Sequence, residues 1–171
     1  MTKARDLATS GPDLGLVYIK KYTPSAVSSF SFDNGTFSAT YDAYFVTGFL
    51  VTSGSAEINL RLRASGTDET GSNYTLQTLK IRNLTQDGSG ETTDKFRISA
   101  DGATGTHLFN MYVYDPFLAS PTGMQANYFS TLPGLGQTGG RHSLSTSYDS
   151  MTFIANTGTF TGTIKVYGYK E

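Results

Sequence analysis

The stretch Tyr44-Phe-Val-Thr-Gly-Phe-Leu-Val-Thr52, followed beyond Gly54 by Ile58-Asn-Leu-Arg-Leu-Arg63, decides how this chain folds. In the second segment Ile58, Leu60 and Leu62 alternate with Asn59, Arg61 and Arg63. A period of two is the pattern of a strand with one face in a core and one in water. In the first segment both faces are apolar, Tyr44, Val46 and Leu50 against Phe45, Phe49 and Val51, which predicts a strand covered on two sides. Gly54 predicts a break between the two strands.

The same period continues outward in both directions. Residues 16–22 read as a strand ended by Pro24, Phe30 and Phe32 point to one side of the next, and Asn34-Gly35 marks a turn. In residues 74–84, Leu76, Leu79 and Lys80 would also fit a short helix, but β-branched Thr75, Thr78 and Ile81 favour a strand, and 87–94 read as a polar loop. Phe96 and Ile98 start another strand, 100–106 form a second loop, and 107–114 alternate with Phe109, Met111 and Val113 on one face. A short strand near Tyr128 precedes a Gly-rich segment at 133–140, predicted as an exposed flexible loop. Strands at 150–155 and 160–169 close the chain. About eight to ten strands with no amphipathic helix predict an all-β fold, an antiparallel β-sandwich of jelly-roll type formed by residues 15–171. Residues 1–14 read as a separate N-terminal extended arm, with Lys3, Arg5 and Leu7 as its attachment residues.

Composition narrows the function. The chain has 171 residues, enough for one domain with its own core. It has no Cys, which excludes disulfides and thiolate chemistry. A net charge of −1 gives no basic surface for nucleic acid. No apolar run approaches the ~20 residues of a membrane-spanning helix, and the start of the chain lacks the apolar segment of a signal peptide. The expectation is therefore no nucleic-acid partner and no membrane insertion.

Chemical motifs are weak. Gly134-Leu-Gly-Gln-Thr-Gly139 matches the dinucleotide-binding glycine pattern, but Pro133 precedes it and no helical periodicity follows. His107 and His142 have no second ligand three or four residues away, so no metal or other cofactor is expected. Asp87, Ser89, Glu91 and Asp94 offer oxygens from one segment but fail the spacing of a calcium loop. Ser143 beside His142 has no oriented third partner. The carboxylates Asp42, Glu57, Asp115 and Asp149 sit at strand ends or beside proline, where turn formation is their ordinary use, so no enzymatic activity is expected. Tyr41-Asp42 and Tyr148-Asp149 repeat one pattern, read as a ring sealing the sandwich end beside a turn-capping carboxylate. Tyrosine rows are the stronger signal. Tyr112 and Tyr114, and Tyr167 and Tyr169, leave the buried faces of their strands, and together with Gly136 and Arg141 they are the candidate interface or ligand contacts.

Several segments carry a family likeness. Gly15-Leu-Val-Tyr-Ile-Lys20, Ser38-Ala-Thr-Tyr-Asp-Ala-Tyr44, Leu60-Arg-Leu-Arg-Ala-Ser-Gly66, Asp115-Pro-Phe-Leu118 and Gly162-Thr-Ile-Lys-Val-Tyr-Gly-Tyr169 resemble small structural proteins in the virions of marine and freshwater tailed phages, cyanophages included. The opening Lys3-Ala-Arg-Asp-Leu-Ala8 is similar to the start of appendage proteins in such phages. The resemblance covers roughly residues 15–65 and 107–170, and these are strand and turn patterns rather than chemical sites. It implies a non-enzymatic protein of the particle exterior, a head decoration (cement) protein or a tail-appendage component, anchored by its arm. The partners it implies are capsid or tail proteins and copies of the chain itself as a homotrimer. The alternative is a receptor- or glycan-binding tip that contacts a host surface glycan. A hydrolase acting on envelope sugar is the remaining, weakest reading.

Overall fold

A computed structural model describes residues 15–131 and 134–170. The predicted arm, with Lys3, Arg5 and Leu7, lies outside them. Among the described residues eleven strands form: β1 (Gly15–Tyr22), β2 (Ser29–Ser31), β3 (Ala43–Ala64), β4 (Thr67–Asp68), β5 (Tyr74–Arg82), β6 (Thr85–Thr93), β7 (Phe96–Tyr114), β8 (Thr122–Ser130), β9 (Gly134–His142), β10 (Ser150–Ala155) and β11 (Phe160–Lys170). All pairings are antiparallel, and the architecture is the β-sandwich that the alternation predicts.

Two strands hold both layers. β3 runs for 22 residues and β7 for 19, paired with each other along most of their length. Their halves Tyr44–Thr52 and Gly105–Val113 sit in a large sheet ordered β1-β11-β3-β7-β8-β9-β5-β6. Beyond the bend, Ile58–Leu60 of β3 and Phe96–Ser99 of β7 join β10 and β2 in a second, smaller sheet. The register slips between Thr52 and Ala56, the signature of a bulge, and Gly105 takes a φ of +118°, which a side chain would resist. Gly54 and the 100–106 segment were expected to interrupt the strands. They form the corner at which continuous strands turn from one layer into the other, because bulges and glycines bend a ladder without ending it.

The core lies between the layers. Tyr44, Val46 and Leu50 of β3, Met111 and Val113 of β7, Ala126 of β8 and Ile164 and Val166 of β11 are fully buried on the inner face of the large sheet. From the small sheet come Ile58, Leu60, Leu62, Phe96, Ile98, Met151 and Phe153. The Phe153 ring joins the sheets: its centroid lies 5.3 Å from Phe30, 6.1 Å from Phe32 and 5.9 Å from Phe109. Tyr74 adds a polar link, its hydroxyl accepting the Leu62 backbone N–H at 2.8 Å.

Two predicted loops are strands. Residues 85–93 form β6 at the sheet edge, paired with β5 along its whole length. The glycine-rich 134–140 segment belongs to β9, hydrogen-bonded on both sides by β8 and β5. Its glycines make room. A Cβ at Gly136 would lie 2.5 Å from the Tyr128 ring, so the ring fills the space that a side chain would occupy.

Phe153→Ala is expected to lower unfolding stability by about 3–5 kcal/mol, the cost of emptying a fully buried aromatic site. A drop in urea-denaturation midpoint with an unchanged m-value checks this, and a loss below about 1 kcal/mol would contradict the bridging role assigned to the ring.

Candidate functional site

The outer faces of the two sheets differ in charge. On the small sheet, Arg63 donates to Asp68 (2.6 Å), to the Ser31 hydroxyl (2.6 Å) and to the Thr152 hydroxyl (2.9 Å), and Thr152 in turn donates to Asp68. Arg61 pairs with Asp94, and Arg97 with Glu91 (2.7 Å) and Glu57 (3.4 Å). Burial pushes Asp94 up, but hydrogen bonds from Lys95 and Arg61 outweigh it and hold the carboxyl at about 2. On the large sheet, alternation turns residues 75, 77, 79 and 81 of β5, the odd positions 43–51 of β3, the even positions 106–114 of β7, and the odd positions of β8, β9 and β11 outward. Among the described residues these outward positions carry Lys165 and Arg141 and no Asp or Glu, and Lys21 of β1 joins them as the register partner of Lys165.

Cross-strand register assembles the tyrosines. Tyr18 pairs with Tyr167, Tyr167 with Phe45, and Phe45 with Tyr112, giving one row across β1, β11, β3 and β7. The centroid separations are 5.8 Å, 6.4 Å and 5.1 Å. Tyr112 also stacks on Tyr114 at 6.1 Å and on Tyr169 at 6.2 Å. The four tyrosines singled out from the sequence therefore form a single cluster, joined by Phe45 and Tyr18. The Tyr169 hydroxyl is held above its ordinary value first by its hydrogen bond with Tyr112, then by burial and by the neighbouring phenols. The Tyr114 ring lies over Gly123 of β8, whose β9 neighbour in the same row is Arg141, outward and exposed. Gly136 needs correcting. It is buried and faces inward beneath Tyr128, because it belongs to a strand and not to a surface loop, so it makes no outward contact.

A second row went unseen in the sequence. Phe49, Leu108, Phe129, Leu135 and Ile81 pair in succession across β3, β7, β8, β9 and β5, each between 37% and 54% exposed. Single exposed apolar residues are ordinary, but five in one register row form a patch. The strand predicted to be covered on both faces is thus covered on one among the described residues: Phe49 and Val51 stand at the surface because no described element packs over the outer face of β3.

The remaining candidates have structural partners. His142 lies between Tyr74 (4.5 Å) and Tyr148 (5.2 Å) and shares a 2.9 Å hydrogen bond with the Tyr148 hydroxyl through Nδ1. Burial pushes His142 down and Tyr148 up, so both are neutral near pH 7. His107 sits inside the sandwich, with Ser99 at 2.9 Å from Nδ1 and Thr52 at 3.4 Å from Nε2. Among the described residues, no three His, Asp or Glu side chains converge as metal ligands. Asp87 pairs with Lys80, and Asp149 accepts the Ser65 N–H, so these carboxylates close turns and edges.

The fold and face together define an antiparallel β-sandwich with one charge-poor, aromatic outer surface. The chain is similar to part of an exo-inulinase from Aspergillus awamori, with 15% identity over 90% of this chain and 29% of that one and a TM-score of 0.48. It is similar to a fructosyltransferase from Aspergillus japonicus at 11% identity and a TM-score of 0.39, covering 100% of this chain and 29% of that one. A galectin from Caenorhabditis elegans matches at 10% identity and a TM-score of 0.36, over 85% of this chain and 94% of that one. The chain spans less than a third of the two larger proteins, and likeness at this level carries no argument about activity or ligand. No family model and no curated protein matches the sequence.

His142 sets a pH dependence. Its proton affinity is lower folded than unfolded, so the unfolded chain binds more protons as pH falls below the ordinary value of 6.5. Stability is fully present above that value and is lost on acidification, by up to about 1.4 kcal/mol per pH unit. Urea midpoints at about pH 7.5 and about pH 5.5 measure this, and His142→Gln should flatten the difference. Asp94 adds a second, lower window: its contribution is present above 3.8 and is lost as pH falls towards about 2.

Proposed function

We propose that this chain is a non-enzymatic structural protein of the exterior of a tailed-phage particle, a head decoration protein or a component of a tail appendage, acting by surface contact. The observation that carries the reading is the outer face of the large sheet. It exposes an aromatic cluster and an apolar row side by side, without an acidic group among its described outward residues. Such a face suits burial against another protein, where aromatic residues contribute most and charge is disfavoured. The sequence resemblance to virion proteins supplies the setting, and the arm at residues 1–14 supplies the anchor in this proposal. In it, Tyr18, Phe45, Tyr112, Tyr114, Tyr167 and Tyr169 form the contact between copies, closed as a homotrimer.

Hydrolysis, the weakest of the three readings, finds no support in the acids among the described residues. Glu57 is held by Arg97, and the Asp42 carbonyl accepts the Asp115 N–H at 2.6 Å in a turn where Asp115 has a φ of +53°. Glu57 thus sits within β3, held by a side chain rather than at the strand end its sequence position predicts, and the Asp42 and Asp115 backbones close a turn between β3 and β7.

Two measurements test the proposal. Antibody labelling of purified particles from the phage that encodes the chain should decorate their exterior, and deletion of residues 1–14 should abolish that labelling while the sandwich stays folded. Light scattering on the purified chain should give a trimer that Phe45→Asp converts to monomer. A chain absent from purified particles, or monomeric at every concentration, would sink the reading.

A further inference from the structure

The outer face of the large sheet also holds a furrow that runs across the strands, between two rows of side chains. We propose that this furrow binds a linear anionic polysaccharide, a use separate from the assembly contact above and independent of whether the chain sits on a virion. Three depressions make it up. One of about 460 Å³ is lined by Lys21, Thr47, Phe49, Thr163 and Lys165. The next, about 300 Å³, lies between Leu108, Asn110, Asn127 and Phe129 and shares Gly48 with the first. The third, about 270 Å³, is lined by Leu79, Ile81, Leu135 and Gln137 and shares Asn127 with the second. They are contiguous from β11 to β5, six strands and five gaps, roughly 24 Å at ordinary strand spacing.

The two walls differ in chemistry, and the difference selects the ligand. One wall is the row Thr47, Asn110, Asn127 and Gln137, paired in succession through β3, β7, β8 and β9. Asn127 Nδ2 donates to Asn110 Oδ1 at 3.1 Å, which fixes two amide planes, and each amide retains a further donor or acceptor beyond that bond. Side-chain amides offer a donor and an acceptor on one rigid plane, the complement of the neighbouring hydroxyls of a sugar. The opposite wall is Phe49, Leu108, Phe129 and Leu135, in which the two flat phenyl rings match the C–H face of a pyranose ring and the leucines extend the apolar surface between and beside them. A furrow with hydroxyl-reading groups on one side and stacking groups on the other fits a chain of sugars.

Other ligands fit less well. A lipid tail has no use for the amide row. An extended peptide adds to a sheet along an edge strand, parallel to the strands, whereas this furrow crosses them. The sign of the ligand follows from charge. Lys21 and Lys165 stand in one register pair at the β11 end of the furrow, and no carboxylate appears among the described outward positions of the sheet. A uronate or other acidic sugar would meet cations there and no repulsion along its length.

The test is titration of the full chain with oligogalacturonates of increasing length, with dextran oligosaccharides as the neutral probe. Affinity should rise with length until the furrow is filled and then level off, should weaken with added salt, and should exceed that for dextran. Asn127→Leu and Phe129→Ser should each lose about tenfold, the scale of one lost hydrogen bond or stacking contact. Lys21→Ala with Lys165→Ala should abolish the preference over dextran. Thr92→Ala on β6, outside the furrow, should change nothing, and far-ultraviolet circular dichroism with a thermal melt shows that each variant is folded. No binding of either probe by the folded full chain overturns the proposal, as does binding indifferent to Asn127→Leu and Phe129→Ser. Equal, salt-insensitive binding of dextran overturns its anionic class. Each of those outcomes leaves the assembly reading standing, which rests on particle labelling and oligomeric state.

Discussion

The paired strands β3 and β7 are the constraint from which the rest of the molecule follows. Both are long enough to serve two sheets, and they stay hydrogen-bonded to each other through the bend at Thr52 and Gly105. Once that bend is set, the side chains of each strand have one inward and one outward direction in both layers. The inner directions meet around Phe153, Phe109 and Tyr44, and the outer directions become two separate surfaces. Sliding either strand by one residue would exchange the faces along its whole length. The register of this single pair therefore decides which aromatics are core and which are surface.

The two outer surfaces then took different chemistry. The small sheet carries arginines and carboxylates in a hydrogen-bonded lattice around Arg63, Asp68 and Thr152, largely satisfied within itself and only partly exposed. The large sheet carries rings, amides and threonines in rows. Ion pairs at partly exposed positions contribute little to stability, so the partition has small energetic weight for folding. Its consequence is for contact: one side of the molecule is suited to water and the other to a partner, with hydrogen-bonding groups and stacking groups kept in separate rows.

Much of this was legible in the sequence. Alternation at Ile58, Leu60 and Leu62 and at Phe109, Met111 and Val113 assigned strands and inner faces correctly. Tyr112, Tyr114, Tyr167 and Tyr169 were found because each leaves a face whose other members are apolar. The misplaced strand breaks and loops share one cause, the reading of glycine as an interruption. Gly54 and the glycines of 100–106 mark a corner within strands, and those of 134–140 make room for Tyr128 and for the β5 backbone within a sheet. Glycine reports that something approaches closely or that the backbone turns, and local sequence does not say which.

The row of Phe49, Leu108, Phe129, Leu135 and Ile81 marks the boundary between the two kinds of information. The sequence shows these residues only one at a time, Phe49 on a strand apolar on both faces and Leu135 in a segment that reads as a loop. Their conjunction needs the order β3-β7-β8-β9-β5, in which two neighbours, β9 and β5, are more than fifty residues apart in the chain. Side-chain alternation is a property of one strand and follows from backbone geometry alone, so the sequence carries it. Adjacency between strands is a choice among many pairings, made by the burial of the whole core at once, and only the folded chain records the outcome.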